Sequence, residues 1–174
     1  NDSFPGSHPL AVGPLGYNGS KAAMELISRA DVVLALGTRL NPFSTLPGYG
    51  IDYWPKNATI IQVDMNPDRI GLTKKVTVGI CGDAKQVAQQ ILDKLSPDAG
   101  NLGRDERKNL IHKTKSAWLQ TLAGLDHEED DPGTVWNKEA RERDKDRMSP
   151  RQAWRAIQDA MPGDAIISSD IGNN

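Results

Sequence analysis

Three short apolar runs occur within the first 97 residues of the 174-residue chain. The runs at 31–37 and 59–64 are almost continuously apolar, and a weaker run occupies residues 76–80. Their lengths are those of β-strands, and near-continuous apolar character is typical of parallel strands that are covered on both faces. The pattern therefore predicts three strands, with those at 31–37 and 59–64 adjacent and parallel.

Amphipathic stripes lie between and beyond these runs. Apolar residues spaced by three and four predict one helix over 22–30 and a second over 84–95, with Asp83 as the N-cap of the second. Strands that alternate with helices indicate an α/β fold, in which a parallel sheet carries helices on both faces. Residues 1–97 are thus predicted to form one α/β domain.

Charged side chains concentrate in residues 98–148, which hold 10 basic and 12 acidic residues, half of those in the chain. Such a segment buries little surface, so we expect a solvated linker that contains one helix over 110–125. Ser149 and Pro150 suit the N-cap and first position of another helix, and residues 164–170 predict a strand after it. Residues 149–174 are therefore predicted to begin a second, truncated α/β domain.

Composition narrows the classes of function. The formal net charge is -2 and no basic cluster stands out, which argues against nucleic acid as a partner. No apolar run approaches the roughly 18 residues of a membrane-spanning helix, and no signal-peptide pattern is present, so we expect a cytoplasmic protein. Cys81 is the only cysteine, which excludes an internal disulfide and a thiolate zinc cluster; it is predicted to be a small buried residue.

Glycines recur at every third position from Gly13 to Gly19, just before the first predicted helix. Backbone N–H groups in such a loop are able to approach a phosphate at a helix N-terminus, although the dinucleotide fingerprint has a different spacing. The alternative is a glycine-rich turn at the edge of the sheet that binds nothing, and this turn is the favoured interpretation.

Two polar segments follow the predicted strands, Gly37–Leu40 after the first and Asp64–Pro67 after the second. Open parallel sheets bind ligands beyond the carboxyl ends of their strands, where Arg39 would meet an anion and Asp64 a ribose hydroxyl. Alternatively, Arg39 is a capping residue and Asp64 forms a turn ahead of the Asn-Pro pair. Residue types alone leave both interpretations open.

No catalytic constellation emerges from the remaining residues. His8, His112 and His127 have no neighbouring ligand residues at metal-binding spacing, and they are expected in a loop or facing solvent. Trp118 and Trp154 lie on helical stripes and are predicted to be core residues. The sequence thus predicts neither a catalytic residue nor a metal site in these 174 residues.

Several motifs together resemble the central domain of thiamine-diphosphate-dependent enzymes. They agree with that family in order and spacing over residues 8–95, and they are His8-Pro9-Leu10, Gly13–Gly19, Ala30–Leu40, Ile60–Gly71 and Gly82–Lys85. Residues 149–174 resemble the first helix and strand of the family's diphosphate-binding domain. The resemblance implies a Rossmann-like central domain followed by the start of a second α/β domain.

The same resemblance implies thiamine diphosphate and Mg²⁺ as cofactors, both bound mainly outside this chain, with the cofactor ring as electron sink. Gly172, Asn173 and Asn174 match the turn at which main chain and amides reach the diphosphate. The family's metal motif needs a Gly-Asp-Gly upstream of its Asn-Asn, and residues 143–150 contain none. The metal ligands are therefore expected outside the chain, and the resemblance implies that the activating glutamate lies outside it as well. The intact enzyme is expected to be a homo-oligomer that acts on a small molecule.

Residues 41–55 and 71–75 further resemble an acetyltransferase branch of the family, which cleaves sulfoacetaldehyde with phosphate into acetyl phosphate and sulfite. The acidic, arginine-containing stretch usual in acetolactate-forming relatives is missing, which argues against a bound flavin. An acetolactate-forming activity, or another carboligase or decarboxylase activity, is the alternative within the family.

Two interpretations without catalysis also remain. The first is a free-standing nucleotide-binding module, because Gly37–Leu40, with an Asn after the next strand, is similar to the layout of NAD-dependent deacylases; the zinc cysteines of that family are absent, which counts against it. The second is a purely structural middle domain that separates two catalytic domains. For the chain itself the structural role is preferred, and for the intact protein the acetyltransferase.

Overall fold

The computed structural model describes residues 4–16, 19–125, 148 and 150–167. The chain divides into two compact units, residues 1–119 and 120–174, and each is described by itself. No helix within the described ranges is long and apolar enough to cross a membrane.

The first unit is built on a parallel sheet with the strand order β1-β2-β3. β1 spans Val32–Leu36, β2 spans Thr59–Asp64 and β3 spans Val78–Cys81. Leu34 of β1 lies beside Ile61 of β2, and Ile61 lies beside Val78 of β3. The predicted parallel pairing of the first two strands is confirmed, and the third strand lies slightly further along the chain than predicted.

The described helices are α1 at Lys21–Ile27, α2 at Ala84–Lys94, α3 at Arg104–Leu125 and α4 at Pro150–Ala160, and short 3-10 turns occupy Phe43–Thr45 and Pro67–Arg69. α1 begins at Ser20, whose hydroxyl accepts a hydrogen bond from the N–H of Ala23 at 3.3 Å. α2 begins as predicted at Asp83, whose carboxylate accepts from the N–H of Gln86 at 2.9 Å. These elements confirm the α/β class.

One cluster of buried apolar residues lies on a face of the sheet that we call the inner face. Ala35, Leu40 and Ile60 pack together there, and partly buried Val33, Trp54, Ala58 and Val76 surround them. Because side chains alternate along a strand, Val32, Leu34 and Leu36 point to the opposite, outer face. They are 57%, 43% and 40% exposed, so the expected cover on both faces of the first strand is incomplete.

Cys81 is exposed, which corrects the prediction that it is buried. It is the last residue of β3, and β3 is an edge strand of the described sheet, with neighbours on one side only. Its thiol lies 3.6 Å from the carbonyl oxygen of Met65.

The two tryptophans differ from each other. Trp118 is half-buried, and its ring meets the ring of Tyr49 edge to face, with centroids 5.4 Å apart. Trp154 of α4 is 42% exposed, so its prediction as a core residue is wrong. The apolar stripe of α4 has no element in the described part of the second unit that covers it fully, and Ile157 on the same stripe is also exposed.

The strand predicted over 164–170 is not formed at residues 165–167, and residues 168–170 lie outside the described ranges. Ile166 is almost fully exposed. A strand needs a hydrogen-bonded neighbour, and the described part of the second unit contains no other strand to supply one. His127 and Ser149 also lie outside the described residues.

Candidate functional site

The loops after β1, β2 and β3 meet at the carboxyl edge of the sheet, where ligands bind in open parallel sheets. Gly37 leaves β1 with φ of 62°, and its N–H donates to the carbonyl oxygen of Val63. Gly82 leaves β3 and its N–H donates to the carbonyl oxygen of Asp64. The start of α2 lies close to Gly37: a Cβ added to Gly37 would be 3.6 Å from the Cβ of Ala84.

Gln62 organises this edge, and sequence reasoning missed it. Its side chain is only 1% exposed, and its Nε2 donates to the carbonyl oxygens of Thr38 and Arg69, each at 3.0 Å. Its Oε1 accepts from the N–H of Gly71 at 2.8 Å. One amide therefore ties the loop after β1 to the loop after β2. The signal in the sequence is a polar residue in the middle of an apolar strand.

A second side chain joins the same two loops. The hydroxyl of Thr73 donates to the carbonyl oxygen of Leu40 at 2.6 Å and lies 3.2 Å from that of Arg39. Leu40 itself is buried and has φ of 51°, a left-handed conformation that costs a branched residue about 1 kcal/mol or more. The Thr73 hydrogen bonds help to hold that conformation.

Arg39 and Asp64 do lie at this common edge, but they do not form an ion pair in the described structure. The Asp64 carboxylate is buried and accepts a hydrogen bond from the N–H of Asn66 at 2.8 Å. Asn66 in turn caps the 3-10 turn by accepting from the N–H of Asp68. Asp64 thus acts in a turn, one of the two predicted roles, while the Arg39 side chain is exposed to solvent.

The described glycines of the 13–19 loop serve close packing. A Cβ on Gly16 would lie 2.9 Å from the Cα of Ser44, and one on Gly19 would lie 2.5 Å from the carbonyl oxygen of Pro14. Gly13 and Gly16 also have positive φ, 88° and 106°. These contacts favour the glycine-rich turn over an open phosphate cradle, because the loop is filled by its own backbone and by the 43–46 segment.

A cavity of about 620 Å³ opens between this loop and the 43–46 segment. It is lined by Pro14, Leu15, Gly16, Gly19, Phe43, Ser44 and Leu46. None of these carries a charge, and Phe43 at the rim is 78% exposed. The cavity therefore offers apolar contact and no group that would neutralise an anion.

Two tyrosines fix the walls of this cavity. The hydroxyl of Tyr49 donates to the carbonyl oxygen of Gly19 at 3.2 Å. The hydroxyl of buried Tyr53 lies 3.5 Å from the carbonyl oxygen of Ser44. Burial raises the pKa of Tyr53 above its ordinary value, and a hydrogen bond with the Gly16 backbone opposes that rise. Tyr53 thus stays neutral and structural at neutral pH.

Metal-binding chemistry is not visible in the described ranges, where no group of three His, Cys, Asp or Glu residues is placed to hold an ion. His8 accepts a hydrogen bond from the N–H of Leu10, and His112 is exposed, as the loop and solvent assignments predict. The three residues matched to the diphosphate turn, Gly172, Asn173 and Asn174, lie outside the described residues.

Comparison with known proteins identifies the class. A family model described as the central domain of thiamine pyrophosphate enzymes matches residues 1–91. The chain belongs to this family of thiamine-diphosphate enzymes, and its parallel sheet with helices is the fold that the resemblance implied.

The identities to individual relatives differ widely within the family. The chain is 78% identical over its whole length to a probable sulfoacetaldehyde acetyltransferase of Rhizobium meliloti, and 74% identical to a sulfoacetaldehyde acetyltransferase of Roseovarius nubinhibens. It spans 29% of the length of each. An acetolactate synthase large subunit of Escherichia coli is 27% identical over 99% of the chain and 27% of its own length.

Proposed function

We propose that this chain is the central part of a longer thiamine-diphosphate-dependent sulfoacetaldehyde acetyltransferase. The observation that carries the proposal is the contrast in identity over the same residues. The sequence identity is 78% and 74% with two sulfoacetaldehyde acetyltransferases, one of them named as probable, and 27% with an acetolactate synthase. The segment at 41–55 is one of the two stretches that resemble the acetyltransferase branch of the family. Phe43, Ser44 and Leu46 of this segment line the apolar cavity.

The proposed reaction balances without an outside oxidant. The carbon–sulfur bond of sulfoacetaldehyde breaks and sulfite leaves, so the carbon that carried the sulfonate becomes a methyl group. The aldehyde carbon is oxidised to the acyl level in the same overall change, and a phosphate oxygen takes the acetyl group. Thiamine diphosphate supplies the electron sink that this rearrangement needs.

The role of the described residues in that reaction is proposed to be structural. No group of three metal-ligating residues occurs in the described ranges, and the carboxyl-edge loops are fastened to each other by Gln62 and Thr73. We assign no catalytic residue to the chain. Gly172, Asn173 and Asn174 are proposed to approach the cofactor diphosphate, and Mg²⁺ to be held by residues elsewhere in the cytoplasmic, homo-oligomeric enzyme.

The substrate assignment is tested by assaying the full-length protein, with thiamine diphosphate and Mg²⁺, on two substrate sets. We expect acetyl phosphate and sulfite from sulfoacetaldehyde plus phosphate, and no acetolactate from pyruvate. Acetolactate from pyruvate without acetyl phosphate from sulfoacetaldehyde would move the protein to the alternative activity. The 174-residue chain alone is the control, and it should release no sulfite above background.

A further inference from the structure

One turn of the first unit carries a tyrosine at a position that rarely holds one. The N–H of Ile51 donates to the carbonyl oxygen of Gly48 at 2.9 Å, which closes the turn. The two central residues have positive φ, 54° at Tyr49 and 70° at Gly50. Positive φ at both central positions is the pattern of a type I′ turn, which favours asparagine, aspartate or glycine. Tyr49 is therefore in a strained position that asparagine or glycine would fill more readily.

Burial does not explain the tyrosine. Tyr49 is 54% exposed, whereas Leu40, another described residue with a side chain and positive φ, is buried. Backbone strain persists where the surrounding contacts require it, and strained positions cluster where a protein has a function to perform. The reason for a tyrosine in this turn thus lies in the contacts of its side chain.

The side chain of Tyr49 touches two segments that are distant from it in the sequence. Its hydroxyl donates to the carbonyl oxygen of Gly19 at 3.2 Å, directly before Ser20, the N-cap of α1. Its ring meets the ring of Trp118 on α3 edge to face, with centroids 5.4 Å apart and ring planes inclined by 66°. Aromatic pairs in this geometry are favourable beyond the area that they bury. One side chain therefore joins its own turn, the start of α1 and α3.

α3 follows the residues that match the family model, which end at residue 91. The beginning of α3 is fastened locally, because the Arg107 guanidinium donates to the carbonyl oxygens of Gly100 and Leu102. The contact between Tyr49 and Trp118 lies further along the helix and holds it against the matched region. It thus fixes the position of α3 where the chain continues beyond that region.

We propose that Tyr49 is a latch, whose ring holds α3 and whose hydroxyl holds the loop before α1, and that the strained turn position is kept because these contacts need a tyrosine. Loss of the ring contact frees the later turns of α3, and loss of the hydroxyl contact frees the loop, while the sheet stays folded. The inference does not depend on the substrate, so a full-length protein without acetyltransferase activity would still test it.

Hydrogen exchange of individual amides in the full-length protein tests the latch with Tyr49→Asn. Turn preference alone predicts that asparagine improves the turn, so that the protein is as stable as before or more stable. The latch predicts the opposite: the α3 amides at 115–119 should exchange about tenfold faster, and those of α2 should not change. Gly50→Asn is the matched control in the same turn, because Gly50 has open space around it, and it should leave α3 unchanged.

Two further variants separate the two halves of the latch. Tyr49→Phe keeps the ring, so it should speed exchange of the Gly19 and Ser20 amides, which donate within the loop, and leave α3 as it is. Trp118→Leu should free α3 and leave the loop as it is, and it tests the latch even if Tyr49→Asn destabilises the whole protein. Wild-type exchange of α3 in either Tyr49→Asn or Trp118→Leu would overturn the proposal, as would a Tyr49→Asn protein more stable than the wild type.

Discussion

Replacing Gln62 with leucine is expected to lower the free energy of unfolding of the 174-residue chain by about 3 kcal/mol. The change keeps the size of the side chain but removes three hydrogen bonds, each contributing about 1 kcal/mol net. The carbonyl oxygens of Thr38 and Arg69 and the N–H of Gly71 lose their partner. Urea unfolding measures the loss, and Gln90→Leu on the exposed surface of α2 is the matched control, with little expected effect.

Gln62→Glu separates hydrogen bonding from packing at the same position. The introduced carboxylate would face the two carbonyl oxygens that now accept from Nε2, so burial and these oxygens favour its protonated form and raise its pKa in the folded state. A raised folded-state pKa means that the variant is most stable below the unfolded-state pKa and loses stability as pH rises through the folded-state value. If Gln62→Glu lowered the free energy of unfolding by the same amount at acidic and at neutral pH, the assigned contacts of Gln62 would be contradicted.

Gly16→Ala is expected to have a comparable or larger effect, about 3 to 5 kcal/mol, because two costs combine. Gly16 has φ of 106°, which side-chain-bearing residues rarely adopt, and an added Cβ would lie 2.9 Å from the Cα of Ser44. The 43–46 segment would have to move, and with it the wall of the apolar cavity. The urea midpoint of the variant should fall accordingly.

Two other glycines provide a graded control for this substitution. Gly6 has open space around it and no positive φ, so Gly6→Ala should be nearly neutral. Gly37 has φ of 62° but only an ordinary 3.6 Å contact with Ala84, so Gly37→Ala should cost an intermediate amount. A Gly16 variant as stable as the Gly6 variant would show that the loop does not pack on Ser44 as described.

Local signals in the sequence account for the elements that were predicted well. Thr59–Asp64 is an apolar run ended by Asn-Pro, and its strand has the predicted bounds. Asp83 precedes a regular apolar stripe and caps α2 as expected. In both cases the determining interactions lie within a few residues, so the pattern contains the information.

The errors concern properties that depend on distant partners. Cys81 was predicted to be buried from its apolar surroundings in the sequence, but it ends an edge strand. Ile166 and Ile167 have strand propensity, yet a strand forms only beside another strand. The role of Gln62 was not predictable because its three partners are backbone groups of loops whose positions the sequence does not specify.

At the candidate site, the sequence located the carboxyl edge and the 13–19 loop but not their function. It left Arg39 open between binding an anion and capping, and Asp64 open between binding a ribose hydroxyl and forming a turn. The structure places Asp64 in a turn. The contact between Gly16 and Ser44 joins segments 28 residues apart, and no spacing rule predicts it. The assignment to the thiamine-diphosphate family therefore rested on motif order over the chain and was confirmed by the family match.

The transfer of an acetyl group to phosphate is the central claim, and isotope labelling tests it most directly. The full-length protein would be supplied with sulfoacetaldehyde, thiamine diphosphate, Mg²⁺ and phosphate labelled with heavy oxygen at every position, and the products followed by mass spectrometry. Because a phosphate oxygen attacks the acyl carbon and no phosphorus–oxygen bond breaks, the acetyl phosphate should retain all of the label and appear in step with sulfite. Unlabelled acetate without acetyl phosphate, or no sulfite at all, would contradict the account.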